Sequence, residues 1–436
     1  MTSAERLAPA QRAALEALLA VEPLRSVLAC LSGQGEEARI VGGAVRNTLI
    51  GLALTDVDIA TTALPQETIR RAKAAGFKPV PTGVAHGTVT VVARDQPFEV
   101  TTLREDVATD GRRATVRFGR DFTHDAERRD FTINALMLSA DGILHDPVGG
   151  LPDLARGQVR FIGDARARIT EDVLRILRFF RFHAAFGAGE ADAIGLAACI
   201  EGRDGLAGLS RERIRSELMK TLMAKGAVAA LALMSDTGLW QRVTGGIAMP
   251  HRLEAMLRVM PEAGAAERLA AACVLTQADA ERLRVALKLS NAEHEVVRRA
   301  ALALEAVHGA AMPDARTARQ LAYRLGHAPF MLAMAWACPG LEPGPFTSLA
   351  KDVMTPAFPF SGRDAVMAGM PAGPGVGQVL ARAEALWIEA DFPLSGQARD
   401  DVLTKALQGH LTVGGIEDRI ESTLPPVFSP KIVPRS

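Results

Sequence analysis

The chain has 436 residues, enough for about three domains, and its 50 basic and 50 acidic residues leave no formal net charge. Hydrophobic residues make up 48%, so large cores can be buried, and the longest apolar run, Ala328 to Cys338, is too short to cross a bilayer, so a soluble protein is expected. Cys30, Cys199, Cys273 and Cys338 lie far apart with no CxxC, which argues against a zinc ribbon or disulfide framework and fits a reducing cytoplasm.

The opening MTSAERLAPAQRAALEALL carries charge throughout and has no signal-peptide apolar core. Residues 5–31 predict an amphipathic helix through Leu15, Leu18, Leu19, Leu24, Val27 and Leu28, divided at Pro23. Ile40 to Thr62 then reads as a strand end, the turn Gly42-Gly43, a short helix from Ala44 to Ile50, and a strand carrying Asp56 and Asp58. Strand alternation predicts the two carboxylates on one face, roughly 6.5–7 Å apart at Cα, with Val57 and Ile59 turned to the core. Two acids side by side repel, which a pair of Mg²⁺ ions would relieve through hard oxygen ligation. The glycine turn lets backbone N–H groups approach a phosphate, with the positive end of the following helix behind it. Phosphate cradle and paired carboxylates together read as a nucleotidyl-transfer site.

The segment Ile40–Thr62, with GGAVRN…DVDIAT, resembles the signature of class II tRNA nucleotidyltransferases, the CCA-adding enzymes, and of their bacterial poly(A) polymerase relatives. The resemblance is specific over about residues 37–225 and departs at Asn47, where the family has Asp. It implies an α+β chain: a small mixed-sheet nucleotidyltransferase head (1–150), a helical neck with a nucleotide-selecting motif (151–225), a helical body (226–340) and a helical, RNA-binding tail (341–436).

A helix is predicted from Thr68 to Ala75, a turn and strand over Val84–Val92, and a strand over Phe98–Leu103. Glu99 is a possible third metal carboxylate beside Asp56 and Asp58, or an exposed edge acid. Arg104 to Phe122 reads as a mobile loop with a turn at Asp110-Gly111; the resemblance implies a loop that helps switch from adding C to adding A, with Ala114 where relatives carry Pro.

In Glu127–Leu136, Arg128 and Arg129 sit at a helix start, where cations oppose the dipole unless they meet an anion. RRDFTxNA matches a second family motif, which implies that Arg128 and Arg129 hold the triphosphate and Asn134 lies near the nucleotide; guanidinium forks suit that task. The alternative is a salt bridge from Arg129 to Asp125 or Glu127. The pairs His124-Asp125 and His145-Asp146 lack the partners of a metal dyad and read as turn chemistry.

The neck is expected to start near Ile169, with Thr170 as cap and Glu171 and Asp172 in the first turn. Glu171 and Arg175 form an i,i+4 pair, and Asp172 and Arg175 share a face. EDxxR matches the family's base-reading motif, which implies Glu171, Asp172 and Arg175 as the base-selecting set. A hydrogen bond to a charged group contributes about 1.5–3 kcal/mol, so an accepting aspartate and a donating arginine can discriminate bases without a template. Arg178 and Arg181 are candidate phosphate or RNA contacts, or a solvated face. Ser210–Leu218 matches SxERIxxEL, a buttress of the neck. Helices follow at 227–237, 265–275, 280–288 and 293–307, one more is placed around Trp336, and the end from Ser422 is expected to fray.

The reaction implied is transfer of CMP and AMP from CTP and ATP to a tRNA 3′ end, with Asp56 and Asp58 holding two Mg²⁺ and Gly42, Gly43, Arg46, Arg128 and Arg129 anchoring the triphosphate. Poly(A) polymerase is the alternative, followed by a non-catalytic RNA-binding protein on the same head. The DVDIAT form of the acidic motif favours CCA addition.

Overall fold

The computed structural model describes residues 7–54, 56–109, 114–307, 313–337, 342–354 and 356–413. The expected turn at Asp110-Gly111 and the terminal stretch from Ser422 lie outside these residues. The chain divides into two compact units, 1–305 and 306–436.

The first unit opens with α1 (Pro9–Ala20) and α2 (Leu24–Leu31), separated at Pro23, then β1 (Ala38–Val41), α3 (Gly43–Leu49) and β2 (Asp58–Thr61). There follow α4 (Pro65–Ala74), β3 (Lys78–Gly83), β4 (Thr88–Ala93), β5 (Gln96–Thr102), β6 (Arg104–Thr109) and β7 (Ala114–Phe118). The head ends with α5 (Phe122–Glu127), a 3₁₀ turn at Thr132–Asn134, β8 (Met137–Ser139) and β9 (Leu144–His145). Seven strands form one mixed sheet in the order β3-β4-β5-β2-β1-β8-β9, in which β2 and β5 run parallel and the other neighbours antiparallel.

Register decides what each face carries. Ile40, Ile59, Val100 and Val89 stand in one cross-strand row and are fully buried, on the side where α2 and α4 pack. The next row, Val41, Asp58, Glu99 and Thr90, points to the opposite face by strand alternation. Part of that opposite face is covered by a second apolar cluster of Val41, Ala60, Leu103, Phe122, Ala126, Ala135, Met137 and Ile162. That cluster seats α5 beside the acidic row.

One expectation is corrected at the level of backbone. Arg104–Phe122, read as a loop, carries two strands, because β6 and β7 pair antiparallel from Arg104↔Phe118 to Thr109↔Ala114. The sequence signal was weak, since Asp110-Gly111 is flanked by only two β-branched residues on each side, Val107 and Thr109 before it and Thr115 and Val116 after.

After the sheet come α6 (Gly150–Arg156), α7 (Ala165–Glu171), α8 (Leu174–Phe186), α9 (Ala193–Gly202) and α10 (Arg211–Met223). Phe131, Phe161, Phe179 and Phe182 pack together, with ring centroids 4.9–6.2 Å apart, and tie the end of the head to α8. Five helices then run from Ala227 to Leu287, with a sixth at Asn291–Val307, close to the predicted spans. The second unit is helical among its described residues and has its own core of Phe360, Val379, Ala383, Trp387, Phe392, Val402 and Ala406. Among the described residues no helix is long and apolar enough to cross a membrane.

Candidate active site

The acidic pair is built at the start of β2. Asp58 is its first residue, whereas Asp56 precedes the strand, so the two do not share a strand face as expected. The neighbour that does share a face with Asp58 is Glu99, its direct partner across the parallel β2–β5 ladder. Both side chains are open to solvent. Partial desolvation, then the carboxylates of Glu99 and Asp56, push the Asp58 carboxyl above its ordinary range, and the Arg129 guanidinium works against them. Among the described residues, no group of three His, Cys, Asp or Glu side chains is already arranged to hold a metal ion.

The glycine turn does something narrower than cradling phosphate through every N–H. Gly42 has φ +69°, a conformation that favours glycine, and its N–H donates to the Leu136 carbonyl at 3.1 Å, so that donor is engaged within the head. A Cβ on Gly42 would lie 3.2 Å from Arg129 Nη1, and one on Gly43 would lie 3.6 Å from Arg46 Nη2. Gly42 therefore makes room for an arginine side chain.

Arg128 and Arg129 are both held by Asp125. Arg128 Nε donates to Asp125 Oδ1 at 2.9 Å, and Arg129 Nη2 donates to Oδ2 at 3.0 Å. The Asp125 carboxylate is buried (2% exposed), while the two arginines keep about a quarter of their side-chain surface open. Burial alone would raise the Asp125 carboxyl; the two guanidiniums overcome it and hold it below its ordinary range. Reading His124-Asp125 as turn chemistry is thus corrected: Asp125 sets both arginines, and the salt bridge from Arg129 to Asp125 is formed while part of the guanidinium side chain stays exposed. His145-Asp146 does act as turn chemistry, with Asp146 accepting from Gly150 N and Leu151 N.

Two other expected nucleotide contacts are buried. Arg46, expected on the triphosphate, is 7% exposed, donates to Asn134 Oδ1 and Asn47 Oδ1, and lies over the Phe186 ring at 3.9 Å. Its burial, with Arg181 and Arg178 nearby, lowers its pKa to about 10. Asn134, expected beside the nucleotide, is also buried and donates to Asp130 Oδ1 at 2.9 Å. The two are joined to each other and to Asp130 within the wall of the head. Asn47, the departure from the family's Asp, supplies an acceptor that a neutral amide can provide, and its Nδ2 donates to Ala53 O at 3.4 Å.

The neck motif bends where one helix was expected. Glu171 ends α7, Asp172 is extended (φ −149°, ψ 103°), and α8 starts at Leu174, with Leu174 N donating to Asp172 Oδ1 at 3.1 Å. Thr170 caps nothing; its hydroxyl donates back to the Arg166 carbonyl. Arg175 still meets Glu171, at 2.5 Å, and also donates to the carbonyls of Arg168 (2.8 Å) and Arg128 (3.3 Å), which joins the base-reading motif to the arginine pair. Burial works against it, but Arg175 and Arg168 hold the Glu171 carboxyl below its ordinary range. Arg178 pairs with buried Asp130 at 2.5 Å and Arg181 with buried Glu217 at 2.5 Å, so neither is merely a solvated face.

Sequence reasoning missed Arg168, whose guanidinium donates to the carbonyls of Ile162 (3.1 Å) and Glu127 (2.6 Å) and to Glu171. No motif spacing singled it out. Arg213 of the supposed buttress was also missed; it reaches Asp172 at 3.0 Å.

Residues 38–160 match the family described as "Poly A polymerase head domain", and residues 196–248 match "Probable RNA and SrmB- binding site of polymerase A". A mitochondrial CCA tRNA nucleotidyltransferase 1 from Danio rerio is 48% identical over 208 residues, 47% of this chain and 48% of that protein. A CCA-adding enzyme from Leuconostoc citreum is 41% identical over 223 residues, 51% of this chain and 54% of that protein. The chain thus spans about half the length of the curated relatives it matches. The Bacillus stearothermophilus CCA-adding enzyme, solved with CTP, superposes with a TM-score of 0.69 at 26% identity, over 94% of this chain and 99% of that one. With its mixed-sheet head, acidic strand start and held arginine pair, the chain resembles poly(A) polymerase head domains over residues 38–160 and CCA-adding enzymes over about half its length.

Proposed function

We propose that this protein adds CMP and AMP, from CTP and ATP, to the 3′ end of tRNA, building or repairing CCA. The observation that carries the reading is the pairing of Asp58 with Glu99 on the sheet face where Arg129, held by Asp125, counters their charge. Carboxylates crowded beside oriented guanidiniums suit a divalent metal and a polyphosphate better than they suit each other.

Asp56 and Asp58 would supply the hard oxygen donors Mg²⁺ takes, and the desolvation and carboxylate crowding that raise the Asp58 carboxyl would be offset by a cation there, with Glu99 alongside; two ions are proposed. Bound Mg²⁺ supplies a more acidic 3′-hydroxyl and charge neutralisation for the departing pyrophosphate. Arg128 and Arg129 orient the triphosphate. Asp172 accepts from, and Arg175 donates to, the edge of the base, with Glu171 and the Arg128 carbonyl fixing the direction of Arg175. The division into head (1–150), neck (151–225), body (226–340) and RNA-gripping tail (341–436) is proposed on the same reading. A cytoplasmic setting fits the free thiols of Cys30, Cys199 and Cys273.

The test uses purified protein, Mg²⁺ and a tRNA transcript ending just before CCA, with the four triphosphates singly and mixed. Growth by C, C, A and then a stop is expected. A long A ladder from ATP alone would make it a poly(A) polymerase, the reading favoured by the name of the family matched at residues 38–160. No incorporation at all would leave an RNA-binding protein on a retired head.

A further inference from the structure

Helix α10 was read from sequence as support for the neck, yet one of its faces reaches two residues of the candidate site. Arg213 and Glu217 are one turn apart, an i,i+4 spacing that shares a helix face. Arg213 Nη2 donates to Asp172 Oδ1 and Oδ2 at 3.2 and 3.0 Å, and Glu217 accepts from Arg181 Nε at 2.5 Å. The order cation then anion along α10 thus meets anion then cation along the Asp172–α8 segment. Glu217 is buried, whereas Asp172 and Arg213 keep 38% and 49% of their side-chain surface. A ligand can therefore reach Asp172 while Arg213 holds it.

A carboxylate offers about four acceptor positions. Leu174 N and Arg213 make three contacts to Asp172, which fix its rotation and leave capacity for an outside donor. We propose that Arg213 is a positioning residue for base selection: it sets the Asp172 carboxylate to accept from an exocyclic amino group, present on C and A, and to repel the carbonyl oxygen that U and G present there. The inference rests on the base-selecting reading of Asp172.

The test compares kcat/KM for CTP and UTP on the tRNA lacking CCA, using the whole chain, with Arg213→Ala, Arg213→Lys and, as a control on the same helix, Arg211→Ala, whose guanidinium reaches only as far as the Ala286 carbonyl among the contacts described. Arg213→Ala should lower the CTP-over-UTP ratio about fivefold, the scale of a partly exposed ion pair, through KM and at unchanged Tm. Arg213→Lys should restore part of the ratio, and Arg211→Ala should leave it intact. Wild type with no preference for CTP overturns the Asp172 reading itself. A wild-type preference that Arg213→Ala leaves unchanged, or an equal loss with CTP and UTP, overturns the role of Arg213 alone. Should the alanine variant not fold, Arg213→Gln carries the same comparison.

Discussion

Asp125 and Asp58 are carboxylates of opposite character. Asp125 is buried between two guanidiniums and held below its ordinary range, so its contribution to stability is present above the unfolded carboxylate pKa of about 4 and is lost as pH falls through the lower folded value. Asp125→Asn should therefore lower stability by about 2 kcal/mol at neutral pH, less than for a fully buried pair because the arginines can rehydrate, and should flatten the acid limb of a denaturation series. KM for CTP should rise more than tenfold as Arg128 and Arg129 lose their common anchor. Asp58 is the reverse case. Its carboxyl is raised by desolvation and then by the neighbouring carboxylates, so its ionised form weakens the fold near neutral pH, and Asp58→Asn should leave Tm unchanged or slightly higher while abolishing nucleotide incorporation. Added Mg²⁺ should raise the Tm of wild type and not that of this variant, a thermal-shift comparison that reports on metal binding apart from catalysis. An equal Mg²⁺ response in both proteins would remove Asp58 from the metal site.

At the scale of elements, what was legible depended on whether the information was local. The α1/α2 break at Pro23, the β5 alternation and the strand that Asp58 opens follow from nearest neighbours and were readable, while the placing of Asp56 before that strand was not. Glu99 was a candidate beside Asp56 and Asp58, but its direct pairing with Asp58 was not readable, because the parallel β2–β5 ladder joins residues 58 and 99 through a crossover that no spacing encodes. The same limit hid Arg168 and Arg213, whose acceptors lie up to 41 residues away. The surroundings of Arg46 were hidden for a related reason: a motif arginine reads as a ligand, and its packing over the rings of Phe182 and Phe186 comes from a distant helix. Of the Gly149-Gly150 pair, the second is a close contact that sequence alone does not reveal. A Cβ on Gly150 would sit 2.1 Å from the Thr132 carbonyl oxygen, backbone that cannot swing aside as a side chain would. Gly150→Ala should cost about 3 kcal/mol by forcing α6 away from the Thr132–Asn134 turn, whereas Gly163→Ala, with nothing near its Cβ, should show only the smaller penalty of its positive φ. Urea denaturation of the two variants separates close packing from backbone strain.

For the molecule as a whole, the two compact units make different predictions. Every residue assigned here to metal, triphosphate or base lies before Glu305, within the first unit. The helix Asn291–Val307 ends that unit with Val297, Ala300, Ala301, Ala303 and Leu304 buried, while Phe360, Trp387, Phe392 and their neighbours make a separate core in the second. Separate cores make independent folding the physical expectation. A chain ending at Val307 should unfold cooperatively and bind CTP with Mg²⁺ within about threefold of the whole protein, since none of the proposed nucleotide contacts is removed. Its transfer to tRNA should fall at least tenfold if the second unit supplies grip on RNA. That grip cannot rest on overall charge, because the 50 basic and 50 acidic residues cancel over the chain, so it has to come from local clusters and should weaken steeply with salt. Equilibrium CTP binding and single-turnover addition, measured on both chains at two salt concentrations, separate the contributions. Equal addition rates by the shortened and whole proteins would place tRNA recognition entirely within residues 1–307, and loss of CTP binding would show that the nucleotide site needs the second unit to form.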